Sequence, residues 1–60
     1  MRVKALIDVY DIHANTVYDV TSDGEYNDGG TWVQVVDDAG CRFTLINHIG
    51  WSNTNEYEVV

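Results

Sequence analysis

The stretch that most constrains the fold of this chain is TWVQVVDDAGCRFTLI, from Thr31 to Ile46, which has the pattern of a β-hairpin. Side chains alternate on either side of a central turn, as they do in a pleated strand with one buried face. The turn is Asp37-Asp38-Ala39-Gly40, in which Asp suits the early positions and Gly40 can adopt the positive φ of a type I turn with a G1 bulge. The alternation predicts a core face made of Val33, Val35, Phe43 and Leu45.

Three further segments have strand patterns: Arg2 to Val9, Val17 to Thr21 and Glu56 to Val60. The glycine-rich, acidic segment from Ser22 to Gly30 predicts a long loop. We expect one helical turn from Asn47 to Gly50, and a loop from Trp51 to Asn55. No segment has an apolar period of about 3.6 residues over several turns, so no long helix is expected.

The predicted class is all-β, with short loops and at most one helical turn. Sixty residues allow a single domain, spanning 1–60, which buries only about 60% of the surface that its unfolded chain exposes. Five short strands joined by tight turns predict a small, partly open barrel, because closing the sheet protects edge strands that so small a protein cannot otherwise cover. Tyr18 and Tyr57 are expected to lie in the core.

The composition also bears on where the protein is found. No apolar run approaches the roughly 20 residues that a membrane-spanning helix needs. The segment after Met1 has the pattern of a strand rather than of a secretion signal. Cys41 is the only cysteine, so no internal disulfide can form, whereas small secreted domains usually depend on disulfides. These features favour a cytoplasmic protein with no membrane association.

Ten acidic and three basic residues give the chain a net charge of −7. This charge repels a phosphate backbone, and Arg2, Lys4 and Arg42 are too few to form a basic groove, so direct nucleic-acid binding is not expected. Two interpretations of the acidity remain open. It keeps the protein soluble, or it attracts a partner that is itself basic, such as the nucleic-acid groove of another protein.

Several short motifs resemble those of the SH3-like barrels. Ala5 to Val9, ALIDV, is similar to the ALYDY stretch that opens an SH3 domain, and Gly30 to Val35 is similar to its tryptophan-containing strand. Asp38-Ala39-Gly40 stands where the distal hairpin turn would be, and Glu56 to Val60 resembles the closing strand. The resemblance implies a five-stranded SH3-like barrel. Short acidic proteins of this kind occur among the gene products of bacteriophages.

The residues that bind proline-rich ligands in SH3 domains are mostly absent. Ile7 and Val9 stand where SH3 domains use groove tyrosines, and Thr31 stands where they use the ligand-binding tryptophan. Because a proline-rich peptide docks on an aromatic-lined groove, the resemblance implies the barrel without this ligand.

Neither a metal nor another cofactor is expected. Asp23 to Asp28 places oxygen atoms at alternate positions, as a calcium loop does. An EF-hand, however, needs Gly where Asp28 stands and Glu where Gln34 stands, so a solvated acidic loop is the preferred interpretation. One Cys and two widely spaced His do not form a four-ligand zinc site.

The sequence contains no pattern that predicts an enzyme. Cys41 is expected to point into the core, where cysteine behaves as a small apolar residue. His13 and His48 fall in different loops, with no nucleophile beside either. A domain this small offers no deep cleft in which the pKa of a carboxyl group would shift.

The face of the hairpin opposite the core carries Trp32 and Val36, aligned with Ile46 on the return strand. Either the loop from Ser22 to Gly30 or the C-terminal segment covers them, or they form an interaction patch with an acidic rim. The predicted protein-binding residues are the apolar Trp32, Tyr26, Trp51, Val36 and Ile46 and the acidic Asp23, Glu25 and Asp28.

These features predict a non-catalytic module, monomeric or dimeric, that binds another protein with a basic surface. The most specific version of this prediction is a phage-encoded inhibitor that imitates phosphate charge and occupies a nucleic-acid-binding surface of a host protein. The carboxylates that would form this anionic track are Asp19, Asp23, Glu25, Asp28, Asp37 and Asp38. The alternative is a structural or assembly protein that forms homo-oligomers through the apolar face of the hairpin.

Overall fold

Six antiparallel strands form one sheet in the computed structural model, which describes residues 1–50 and 53–60. The strands are β1 (Arg2–Ala5), β2 (Val17–Glu25), β3 (Thr31–Val36), β4 (Arg42–His48), β5 (Thr54–Asn55) and β6 (Tyr57–Val59). Their order across the sheet is β5-β4-β3-β2-β1-β6. The described residues contain no helix, and hence none that is long and apolar enough to cross a membrane. The all-β prediction is confirmed.

The central hairpin has the predicted register. Val33 lies opposite Leu45, and Val35 lies opposite Phe43. The Asp37 carboxylate accepts hydrogen bonds from two backbone amides of the turn, at 2.8 and 2.9 Å, and Gly40 has a φ of +81°. Asp in a turn commonly bonds the backbone ahead of it, and Gly adopts a positive φ without a steric penalty. The turn chemistry therefore sets which side chains face inward.

The core consists of side chains from five of the strands and from the first connection. Its buried residues are Val3, Ala5, Ile12, Tyr18, Val33, Val35, Leu45 and Tyr57. Phe43, predicted to be buried, is partly exposed and packs against this cluster. Both core tyrosines are confirmed, and the hydroxyl of Tyr57 is hydrogen-bonded to that of Thr31.

Two predicted boundaries on the N-terminal side are wrong. β1 ends at Ala5 rather than at Val9, because the chain then bends through a tight turn in which Val9 and Ile12 exchange backbone hydrogen bonds. β2 continues through Glu25, with a register shift between Val20 and Ser22, so the predicted long loop contracts to residues 26–30. Pairing with β3 overrides the low strand propensity of the Ser-Asp-Gly-Glu sequence.

The predictions for the C-terminal side need three corrections. The expected helical turn is wrong, because Asn47 and His48 are the last residues of β4. The expected loop is wrong at Thr54 and Asn55, which form β5 and pair with the end of β4. Cys41 is exposed rather than buried, because it belongs to the hairpin turn, where its carbonyl accepts the hydrogen bond of the Asp37 amide.

The two outermost strands of the sheet are consecutive in the chain and are separated by Glu56 alone. The Glu56 amide donates to the carbonyl of Ile46 on β4, and the Glu56 carbonyl accepts from the amide of Leu6 just after β1. The side-chain amide of Asn47 also bonds both the N–H and the C=O of Tyr57. One short segment is therefore hydrogen-bonded to two distant parts of the sheet.

Candidate functional site

A groove of about 500 Å³ lies where β2 extends past Arg2, the first residue of β1. Both apolar and acidic residues line it. The apolar ones are Met1, Trp32, Val33, Tyr57 and Val59, and the acidic ones are Asp23, Glu25 and Glu58. Among residues 1–50 and 53–60, no Lys, Arg or His lines the groove. The groove therefore combines an apolar surface with negative charge.

Pairing with β3 places two of these carboxylates on the inner side of the sheet. Asp23 lies opposite Val33, and Glu25 lies opposite Thr31. Residues opposite each other in an antiparallel pair project from the same face. Both acidic residues are nevertheless exposed, and neither side chain has a hydrogen-bond or ion-pair partner within residues 1–50 and 53–60. Glu58, by contrast, is 3.9 Å from the ammonium group of Lys4.

Trp32 is half-buried because its indole ring lies against Gly24 of the neighbouring strand. A Cβ atom at Gly24 would stand 2.7 Å from three atoms of this ring, which is too close for any real contact. The backbone of β2, rather than a loop, therefore covers part of the hairpin face. Trp32 is among the residues that line the groove, but its side chain projects from the face of β3 opposite to that of Val33 and Asp23.

The other apolar residues predicted for the hairpin face do not all adjoin Trp32. Ile46 lies directly opposite Trp32 and is half-buried. Val36 is 43% exposed at the other end of β3, where it pairs with Arg42. The pair formed by Gln34 and Thr44 separates the two positions. The face consists of one tryptophan–isoleucine pair and a distant valine.

Tyr26 and Asp28 lie beside a buried histidine. Oδ1 of Asp28 is 2.8 Å from Nε2 of His48, and the rings of Tyr26 and His48 are 6.3 Å apart. His48 is only 5% exposed, and Cβ atoms at Gly30 and Gly50 would stand 2.3 and 2.9 Å from its ring. Both predicted contact residues therefore help to hold the turn of residues 26–30 against β4. Trp51 lies outside the described residues.

The sequence does not predict several residues of the groove or the burial of His48. Met1, Glu58 and Val59 line the groove but come from the two ends of the chain, and no local pattern brings them to β2. His48 was expected in a loop and is instead buried in β4. The glycines on both sides of its ring are the one signal in the sequence, because a buried ring flanked by backbone requires residues without a Cβ.

The groove has the features of a binding surface for a cation with an apolar stem. Lys and Arg side chains cover apolar surface with their methylene groups while the charged end remains in polar surroundings. The described residues contain no group of three or more His, Cys, Asp or Glu arranged to hold a metal ion. No family model, no curated protein and no solved structure matches this chain.

Proposed function

We propose that this protein is a non-catalytic module that binds a basic region of another protein. The observation that carries the proposal is the pair of exposed carboxylates, Asp23 and Glu25, beside apolar side chains in one groove. Charged rims around apolar contacts speed the encounter with an oppositely charged partner and make association sensitive to salt. The groove supplies both parts of such a surface.

Most of the other carboxylates have partners within the described part of the chain, which distinguishes Asp23 and Glu25 from them. Ion pairs or hydrogen bonds engage the side chains of Asp8, Asp19, Asp28, Asp37, Asp38, Glu56 and Glu58. The net charge of −7 adds a general attraction for basic molecules. Asp11 also lacks such a partner in the described part of the chain but lies outside the groove. Asp23 and Glu25 are therefore the groove carboxylates that a ligand would engage at least cost in existing contacts.

The fold that we propose is a small SH3-like barrel in which β5, Glu56 and β6 act as one bent fifth strand. The hydrogen bonds that Glu56 makes toward both β4 and β1 support this closure, as do those between Asn47 and Tyr57. Closing the sheet in this way would protect its two short edge strands. The proposal does not include the proline-rich ligands of SH3 domains, because this chain lacks most of the aromatic residues that line their groove.

The sharper form of the proposal is a phage-encoded inhibitor in the host cytoplasm that occupies a nucleic-acid-binding surface. The acidic residues that would imitate phosphates fall mainly into two groups at opposite ends of β3. Glu25 pairs with Thr31 at one end, and Asp37 follows Val36 at the other, a separation of about 20 Å at roughly 3.3 Å per residue. Two anionic regions at this spacing suit an extended basic surface better than a single small pocket.

Affinity capture tests the proposal. The immobilised protein is exposed to host lysate at about 50 mM and about 500 mM NaCl, since the higher salt screens exposed charges beyond a few ångströms. We expect retention of proteins with basic surfaces, release of these proteins at high salt, and competition by added DNA or RNA for the inhibitor form. Retention that is absent at low salt or indifferent to salt would contradict the binding proposal. Sedimentation that shows a stable oligomer would favour the assembly alternative.

A further inference from the structure

β2 is much longer than the strand that pairs with its outer edge. It has nine residues, whereas β1 has four and pairs only with Val17, Tyr18 and Asp19. The last backbone hydrogen bond between them runs from the Val20 amide to the Met1 carbonyl. Beyond it, no backbone group of residues 1–50 and 53–60 pairs with residues 21–25 on this side. The distal half of β2 thus has an open edge.

The backbone groups at this edge belong to Asp23 and Glu25. The Tyr26 amide donates to the Gly30 carbonyl, and this hydrogen bond continues the β2–β3 ladder. The backbone N–H of Tyr26 therefore points toward β3. Hydrogen-bonded and non-hydrogen-bonded pairs alternate along an antiparallel ladder, so the backbone N–H and C=O of Gly24, two residues earlier, also point toward β3. The N–H and C=O groups of Asp23 and Glu25 then point to the open edge. They have the two-residue spacing with which another strand would pair.

The same two residues also carry the carboxylates without partners that line the groove. An open strand edge is a template for an additional strand, and its charge selects the chain that can pair with it. A second copy of this protein is disfavoured, because edge-to-edge pairing would bring Asp23 and Glu25 close to the same carboxylates of the other copy. A basic segment would meet opposite charge instead.

We propose that an extended, lysine- or arginine-rich peptide segment of the partner adds as a strand to β2 at Asp23 and Glu25. Its backbone pairs with these two residues, and its cationic side chains reach their carboxylates across the apolar surface formed by Met1 and Val59. Charge-assisted hydrogen bonds from Lys or Arg to carboxylates are stronger than neutral ones. This inference rests on the proposed function and adds the site and the mode of binding.

The test uses a fluorescent peptide in which lysine and valine alternate, and a second peptide of equal charge that is N-methylated at every other backbone amide. We expect the first peptide to bind. We also expect its binding to slow hydrogen exchange at the backbone amides of Asp23 and Glu25 in the protein. Methylation removes strand pairing but keeps the charge, and should weaken binding about tenfold, which corresponds to about 1.4 kcal/mol. Equal binding of both peptides would overturn strand addition while leaving charge-driven binding intact.

A matched pair of protein variants locates the site. Asp23→Asn with Glu25→Gln removes two charges from the groove, whereas Asp8→Asn with Asp11→Asn makes the same charge change at exposed positions outside the groove and outside the predicted anionic track. An amide oxygen at position 8 can still accept the hydrogen bond of the Ala14 amide. We expect the first variant to lose affinity about tenfold and the second to change it less than about threefold. Equal losses would overturn the groove as the site.

The outcomes of the two experiments separate the two proposals. If the lysine–valine peptide fails to bind while basic proteins are captured from lysate in a salt-sensitive manner, the strand inference is wrong and the binding module remains. If neither the peptide nor any lysate protein binds, both proposals are wrong. Circular dichroism of each variant confirms that a loss of affinity does not reflect loss of the fold.

Discussion

At the scale of single residues, Gly24 and Trp32 are mutually dependent. They lie opposite each other on β2 and β3, and the indole ring occupies the space that a side chain at Gly24 would need. Glycine in a strand normally costs about 0.5–1 kcal/mol relative to alanine, because it loses more backbone entropy on folding. The contact with Trp32 offsets that cost here, since the ring packs on bare backbone.

We expect Gly24→Ala to lower the free energy of unfolding by about 1–3 kcal/mol, the usual range for overpacking, instead of raising it. Urea denaturation followed by circular dichroism measures the difference. The control is the same substitution in a Trp32→Val background, where the space is free and alanine should be neutral or stabilising. Greater stability of the single Gly24→Ala variant would contradict the close contact.

At the scale of secondary-structure elements, Asn47 joins strands that the backbone ladder leaves apart. Its side-chain oxygen accepts from the amides of Glu56 and Tyr57, and its side-chain nitrogen donates to the carbonyl of Tyr57. The side chain of Asn47 thus substitutes for a backbone peptide group between β4 and β6. Together with the hydrogen bonds of Glu56, it connects the segment around Tyr57 to β4, while β6 pairs with β1.

Asn47→Ala should remove these three hydrogen bonds and lower the free energy of unfolding by about 2–4 kcal/mol, because partly buried backbone groups lose their partners. Amide hydrogen exchange at Tyr57 should accelerate. Asn55→Ala is the matched control. Asn55 is exposed on β5, and its side chain makes no hydrogen bond to any residue that the structure describes. Equal stability of the two variants would show that Asn47 does not connect the strands.

At the scale of the whole molecule, the excess of negative charge opposes folding through self-repulsion. The ion pairs Arg2–Asp19 and Lys4–Glu58 are largely solvent-exposed, and pairs of this kind contribute little to stability. We therefore expect repulsion among the carboxylates to outweigh these two pairs in the electrostatic free energy of folding. Salt screens this repulsion more than it weakens the pairs.

Raising NaCl from about 20 mM to about 300 mM should therefore raise the melting temperature by about 2–5 °C. Thermal melts followed by circular dichroism measure the shift. The Asp23→Asn and Glu25→Gln double variant carries less charge and should show a smaller increase. A melting temperature that falls with salt would mean that the ion pairs outweigh the repulsion.

The hairpin and its core face follow from local information. The alternation of Val33, Val35 and Leu45 and the turn chemistry of Asp37 and Gly40 act between near neighbours, so the sequence predicts them correctly. The assignment of Asp23 and Glu25 to a binding surface stays a prediction. The sequence places them in a loop, and the strand that they form is not predicted because the Ser-Asp-Gly-Glu segment has little strand propensity of its own.

Strand pairing that the local pattern does not mark, together with contacts between distant segments, determines the rest. Gly24 becomes part of a strand because it pairs with Trp32, and β5 forms because Asn55 pairs with Asn47. The groove brings Met1, Asp23 and Val59 together from the start, the middle and the end of the chain. The pairs of Gly24 with Trp32 and of Asn47 with Asn55 are close in the chain, but no alternation of apolar and polar residues marks Gly24 or Asn55 as part of a strand. No window of neighbouring residues contains the groove. Hydrophobic periodicity specifies which face of a strand is buried, but the length of a strand and the shape of its open edge depend on the strands beside it.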